Sequence, residues 1–302
     1  MIITLDVYSG RQNPSWRLSA KDASQLMERV ADRAVASVEA GDGVLGYRGF
    51  VVSAASDDEL PSNLPQAFRV GGGLVEGHSY ASAAKPLSES EAGEAVGFLL
   101  ETGVHTLEHG LVEYVSHSMR SKPKAEALSE PEWPQPAESR ESALPVEAEA
   151  AAPCVIANTA YNPGFWNVPA VQPKNNCYNY AMNYRSDTFA QPGRITGHQW
   201  TAINCANVGN AAAWDGCKTT CSGSNKLVAL VIAPGPGFID YHWYRRHSEG
   251  FWGHKPGGTA ARNYDNSNRV INGTTLTPAN CNRGPYTIFC GYRYSPTGMQ
   301  VS

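Results

Sequence analysis

The chain has 302 residues, 42% of them hydrophobic and 17% charged, with a formal net charge of −4. That length is enough for two domains, and the slightly acidic balance offers no broad basic field for nucleic acid. No apolar run is long enough to span a bilayer, and Met1-Ile2-Ile3-Thr4-Leu5-Asp6 shows neither the basic n-region nor the apolar h-region of a secretory signal.

Residues 1–120 read as a small α+β module. Ile3, Leu5 and Val7 alternate as in a half-buried strand, and 9–14 (Ser-Gly-Arg-Gln-Asn-Pro) is turn chemistry. Ser19 to Asp22 resembles a capping box, and Ala23, Leu26, Met27, Val30 and Ala34 form a helical stripe. A second strand is expected at 49–53, a helix at 88–101, and a further helix after Gly103, from about 104 to 119.

That last helix would carry His105-Thr106-Leu107-Glu108-His109, the H-x-x-E-H pattern of inverted zinc peptidases. Two imidazoles at i and i+4 share a helical face, and Glu108 would be the base, with Glu113 or His117 as further ligand. The simpler reading leaves these groups on a solvated face opposite Val104, Leu107, Leu111 and Val115. It is preferred, and no metal or other cofactor is expected.

Residues 121–152 are rich in Pro, Glu, Ala and Ser and hold few large apolar side chains. Such a segment buries too little surface to offset its ordering entropy, so an extended acidic linker is expected. The N-terminal module would then be an accessory domain that meets a protein partner, targets the second half or inhibits it.

Residues 153–302 are aromatic and loop-rich. All seven cysteines (154, 177, 205, 217, 221, 281 and 290) lie here. Their odd number leaves at least one thiol unpaired, and six paired with one free is the fullest pairing. Cys281 and Cys290 bracket a turn that a local bridge would suit. The clustering points to an oxidising, extracellular setting and the missing secretory signal points the other way; export by a non-classical route, or a reduced cytosolic protein with free thiols, would each reconcile the two. The apolar run 226–233 reads as a buried strand, 238–245 and 251–254 follow as an antiparallel meander, and 286–293 as another strand.

The second half is organised around Lys174-Asn175-Asn176-Cys177-Tyr178-Asn179. Asn175 or Asn176 can cap a helix whose first turn holds Cys177, and the helix dipole there favours thiolate over thiol. His242 lies on a strand, and His254 on the next strand across a tight turn. Neighbouring strands are about 4.8 Å apart, so the two imidazoles can meet. Cys177 would be nucleophile, His242 base and His254 the orienting group. Asn263 and Asp265 offer alternative orienting groups, and Gln172 an oxyanion donor.

In order and spacing, Cys177, His242 and His254 resemble the papain-like cell-wall hydrolases of the NlpC type and the CHAP amidases. The resemblance covers residues 170–260, and the usual Asp-Cys-Ser/Thr-Gly start is replaced by Asn-Cys-Tyr-Asn. It implies a helix packed on an antiparallel sheet and thiol-dependent hydrolysis of a peptide or amide substrate. The alternative from another class is a non-catalytic, disulfide-containing module that binds glycans or a surface partner, with Cys177 bridged and His242 merely packed. The zinc hydrolase at 105–109 is a third reading.

Overall fold

A computed structural model describes residues 1–30, 33–38, 43–55, 58, 60, 64–72, 87–120 and 152–302. The segment expected as a linker lies outside the described residues except for Ala152. The fold is α+β, built on two sheets.

The first sheet is antiparallel, in the order β2-β1-β3-β4, from β1 (Ile2–Leu5), β2 (Ser15–Arg17), β3 (Phe50–Ser53) and β4 (Ala67–Val70). Ile3 and Leu5 are fully buried, as their alternation demands. Helices α1 (Ala20–Val30), α2 (Glu89–Thr102) and α3 (His109–Arg120) accompany it. Ser19 accepts from the Asp22 amide at 3.1 Å, and Ser88 and Glu91 form a reciprocal capping box, each cap supporting its helix by about 1 kcal/mol. The chain turns between α2 and α3 at 103–106, so His105 lies in the turn and His109 opens the next helix. The helix expected from about 104 therefore begins only at His109, and the two imidazoles do not share a helical face. Among the described residues no group of three His, Cys, Asp or Glu side chains is arranged to hold a metal ion.

Asp6 is the first polar residue after β1, and it is buried. Arg48 and Arg69 each reach one of its oxygens at 2.7 Å, and together they hold its carboxyl well below the usual range despite burial. Arg48 also donates to the Tyr8 carbonyl at 2.6 Å, while Asn13 accepts from the amides of Val7 and Tyr8 at 3.0 and 2.7 Å. These bonds shape the turn at 8–13.

The second sheet runs β5-β6-β7-β8, with β9 also paired to β6. Its strands are β5 (Cys154–Ile156), β6 (Gly223–Pro234), β7 (Ile239–Arg246), β8 (Trp252–His254) and β9 (Ile288–Pro296). Strands β6 to β9 are antiparallel, as the meander predicts, and β5 adds a parallel edge. Helices α4 (Pro163–Trp166), α5 (Cys177–Met182) and α6 (Cys205–Trp214) complete this half.

Strand β6 is buried on both faces, which is why residues 226–233 read as one apolar run. Val228, Leu230 and Ile232, with Tyr241 and Trp243 of β7, pack in one cluster with α5 and α6. The alternate residues Ala229, Val231, Ala233 and Tyr244 belong to a second cluster with Ile3, Leu5, Phe50 and the α2 and α3 side chains. The second sheet thus lies between its own helices and the N-terminal module. At Gly110 of α3 a Cβ would stand 2.6 Å from the Cα of Gly237, so this approach requires glycine.

Two disulfides join Cys154 to Cys221 and Cys205 to Cys290, while Cys177, Cys217 and Cys281 are free and buried. This corrects the expectation of a Cys281–Cys290 bridge and of a single free thiol. Cys290 stands on β9 beside the first residue of α6, whereas Cys281 turns into the core. The Cys205–Cys290 bridge closes a long stretch of chain, with a sequence separation of 85. Replacing both of its cysteines by serine is expected to lower stability by about 2–5 kcal/mol. Urea unfolding of the double variant against the parent checks this; an unchanged midpoint would contradict it.

Candidate functional site

Strand alternation sets the stage. Asp240, His242 and Tyr244 share one face of β7, so whatever meets His242 also meets Asp240. On the opposite face α5 packs against Tyr241 and Trp243. Helix α5 is opened by Asn176, whose side chain accepts from the amides of Tyr178 and Asn179 in a capping box completed by Asn179. Cys177 is the first helical residue, as expected.

The two histidines come together. His254 is registered opposite Tyr244, so His242 lies on its diagonal, and His242 Nε2 meets His254 Nδ1 at 2.9 Å. His254 Nε2 donates to the Tyr264 carbonyl at 2.8 Å, which fixes its tautomer: Nδ1 accepts and His242 Nε2 donates. His242 Nδ1 then accepts from the Ser9 hydroxyl, 2.5 Å away. Burial lowers both imidazoles, His254 to about 3 and His242 well below its ordinary value. Both rings are neutral at pH 7.

Ser9 belongs to the N-terminal turn, and that turn enters the second half deeply. The amides of Ser9, Gly10 and Arg11 donate to the Asp240 carboxylate at 2.5, 3.1 and 3.0 Å, and Tyr286 Oη adds a fourth bond at 2.6 Å. Three successive amides converging on one carboxylate form an anion-binding nest. The Gly10 carbonyl is taken by Asn176 Nδ2, Gln191 Nε2 and Tyr241 Oη at 3.0, 2.8 and 3.1 Å. A Cβ on Gly10 would lie 2.4 Å from the Tyr241 ring, so only glycine fits.

Cys177 is fully buried. Burial, and then the Asp240 charge, push its thiol well above the ordinary range, while the Trp243 backbone, the Ser9 hydroxyl and Lys255 act in the other direction. This corrects the expectation of a thiolate: one helical turn of dipole does not offset desolvation. Ser9 therefore lies against both the thiol and the His242 imidazole.

The remaining candidates do other work. Gln172 gives its backbone carbonyl to Lys255 Nζ at 2.5 Å, and the carbonyls of Asn175 and Gly257 complete the cradle of that buried ammonium. Burial lowers Lys255 to about 7. Asp265 accepts from the amides of Ser267, Arg269 and Asn282 and from the Arg269 guanidinium, so it builds its own turn. Asn263 pairs through its carbonyl with the Ile271 amide. The group that orients His254 is the Tyr264 carbonyl, which side-chain identities do not reveal. Ser9, Asp240 and Lys255 were also missed; Asp240 alone left a trace, two residues before His242 on a strand.

The geometry defines a buried polar junction between the turn that follows β1 and the disulfide-bonded second sheet. No family model matches the chain, and no solved structure matches it. The chain is 40% identical over 140 residues to insoluble matrix shell protein 1 of Ruditapes philippinarum, a match covering 45% of this chain and 90% of the relative. It belongs to the family of that shell matrix protein.

The buried histidines make stability fall with acid. His247 is also lowered, to about 4, so three rings stay neutral in the folded chain where the unfolded chain binds protons. Their contribution is intact above about pH 6.5 and is lost as the pH falls from there towards the folded values. Asp240, which burial raises, works oppositely: the stability it adds is present below the ordinary carboxylate value and lost as pH rises through its folded one. His254→Gln is expected to remove about one proton from the acid slope, about 1.4 kcal/mol per pH unit between about pH 6 and 4. Urea unfolding across that range measures the slope; an unchanged slope would mean that His254 is protonated in the folded state.

Proposed function

We propose that the protein is a non-catalytic, disulfide-bonded binding and structural component of an extracellular matrix. The observation that carries this reading is the closure of the Cys177–His242 junction. Cys177, His242 and Ser9 are fully buried and His254 is 1% exposed. The Ser9–Gly10 segment occupies the space beside thiol and imidazole that an amide substrate would need, and both groups are held in their uncharged forms. Kinship with a protein named for an insoluble shell matrix supports the same reading, as do the two disulfides, which suit an oxidising setting. Among the described residues no helix is long and apolar enough to cross a membrane.

A second reading keeps the thiol chemistry in reserve, and the His242–His254 hydrogen bond favours it. If the 9–11 turn withdrew, water in the place of the Ser9 hydroxyl would carry the Cys177 proton to His242, and the sulfur would bond to an amide carbonyl carbon. The amine would leave with that proton, and water would then cleave the thioester. Asp240 holds the turn in place, so its loss is the way to expose this chemistry.

Native thiol labelling tests both readings. In the unreduced protein, iodoacetamide between about pH 5 and 9 is expected to leave Cys177 unmodified, with labelling only on unfolding. Rapid labelling of Cys177 below the ordinary thiol range of about 8.5 would overturn the binding-protein reading. In Asp240→Ala, labelling of Cys177 accompanied by hydrolysis of a peptide-amide library would establish the latent hydrolase; labelling without hydrolysis would dispose of it.

A further inference from the structure

The exposed face of α6 serves neither core cluster nor the buried junction. Val208, Gly209, Ala211 and Ala212 turn inward, so the helical period brings Asn207, Asn210 and Trp214 onto the outer side at i, i+3 and i+7. Trp214 ends the helix and is 61% exposed, the most open large hydrophobic side chain of the second half. An indole this open has no packing role to explain it.

Trp214 is nevertheless held in place. The His198 imidazole stacks on it with ring centroids 3.8 Å apart and planes 9° from parallel, and His198 Nδ1 bonds the Thr196 carbonyl at 2.8 Å. The Cys205–Cys290 bridge ties the start of the helix to β9, and the Asn204 side chain caps it. A platform fixed in this way loses little freedom when a ligand settles on it.

Two concavities, of about 270 and 580 Å³, meet at Trp214 and Asn210, which line both. The first continues over His198, Gln199, Trp200 and Thr201, and the second over Ala213, Asp215, Gly216 and Lys218. The indole thus lies where two shallow, open depressions adjoin, with one face covered by His198 and much of the rest exposed. Polar groups of both hydrogen-bonding senses surround it: the amides of Gln199 and Asn210 each carry donors and an acceptor. Formal charge is sparse: Lys218 and Asp215 are the Lys, Arg, Asp and Glu side chains of the lining, and the Asp215 carboxylate is already engaged by Tyr178, Gly193 and Thr196.

We propose that this groove binds an uncharged polysaccharide of β-linked pyranose units, laid across Trp214. The proposal rests on the binding-protein reading and names its ligand class. A pyranose ring with equatorial substituents presents an apolar face of C–H groups, which an aromatic face attracts through dispersion and its negative quadrupole. Its hydroxyls both donate and accept, as the flanking amides do. The two adjoining depressions give room for more than one unit of a chain beside the indole.

Co-sedimentation of the full chain with insoluble β-1,4-glucan, and separately with its N-acetylamino counterpart, provides the test. Retention on at least one polymer is expected, persisting at about 0.5 M NaCl because no charge pairing drives it. Trp214→Ala is expected to weaken retention about tenfold or more, and Trp214→Tyr to restore most of it. The exposure of Trp214 predicts an unchanged melting temperature for both variants, which separates lost binding from lost folding. Absence of retention on both polymers, retention abolished by salt, or undiminished retention of Trp214→Ala would each overturn the proposal. Cys177 labelling is read independently, so an inert thiol with no polysaccharide retention removes the glycan groove and leaves the binding-protein reading standing.

Discussion

The Asp240 carboxylate holds the two halves of the molecule together. It is buried on the second sheet, yet most of its hydrogen bonds come from the amides of Ser9, Gly10 and Arg11 in the first module. A carboxylate in such a place is costly unless its oxygens are satisfied, and backbone amides held by a turn satisfy it without further ordering of side chains. The turn is itself held by Asn13 and by Arg48, which Asp6 binds in turn. The chain of dependence runs from the Asp6–Arg48–Arg69 cluster through the turn to Asp240, and from there to His242 and His254.

That dependence explains why a cysteine and two histidines in a hydrolase-like order form no open site. A nucleophilic thiol needs an electropositive, partly open setting. Cys177 has a buried one, with a carboxylate nearby and a serine hydroxyl against it. The imidazole pair is likewise stripped of water, and its hydrogen bonds run in one direction from Ser9 to Tyr264. A polar network satisfied from end to end specifies one packing of its surroundings. In a binding protein of the kind proposed, specific and durable packing serves function as directly as reactivity would in an enzyme.

The outer surface has a different economy. Strand β6 is covered on both faces, so binding surface comes from the helices and loops outside it. Helix α6 is pinned at its start by a disulfide and ends in an open indole, which places rigidity and exposure in the same ten residues. Core packing on one side of the helix and ligand chemistry on the other are consistent with its 3.6-residue period.

Local pattern alone determined several features of this protein. The apolar run of β6, the capped start of α5 at Asn176 and Cys177, the Ser19 cap and the Ser88 capping box, and the meeting of His242 with His254 depend on neighbours in sequence or across one short turn, and periodicity reports such neighbours. Tertiary structure decided the rest. Ser9 reaches His242 across 233 positions, and no period relates them. The pairing of Cys205 with Cys290 depends on where β9 lies beside α6, which spacing cannot give. The direction of the Cys177 shift depends on burial among side chains distant in sequence, and desolvation outweighed the local helix dipole. Chemistry-bearing residues are legible in a sequence, but whether water reaches them is a property of the packed whole.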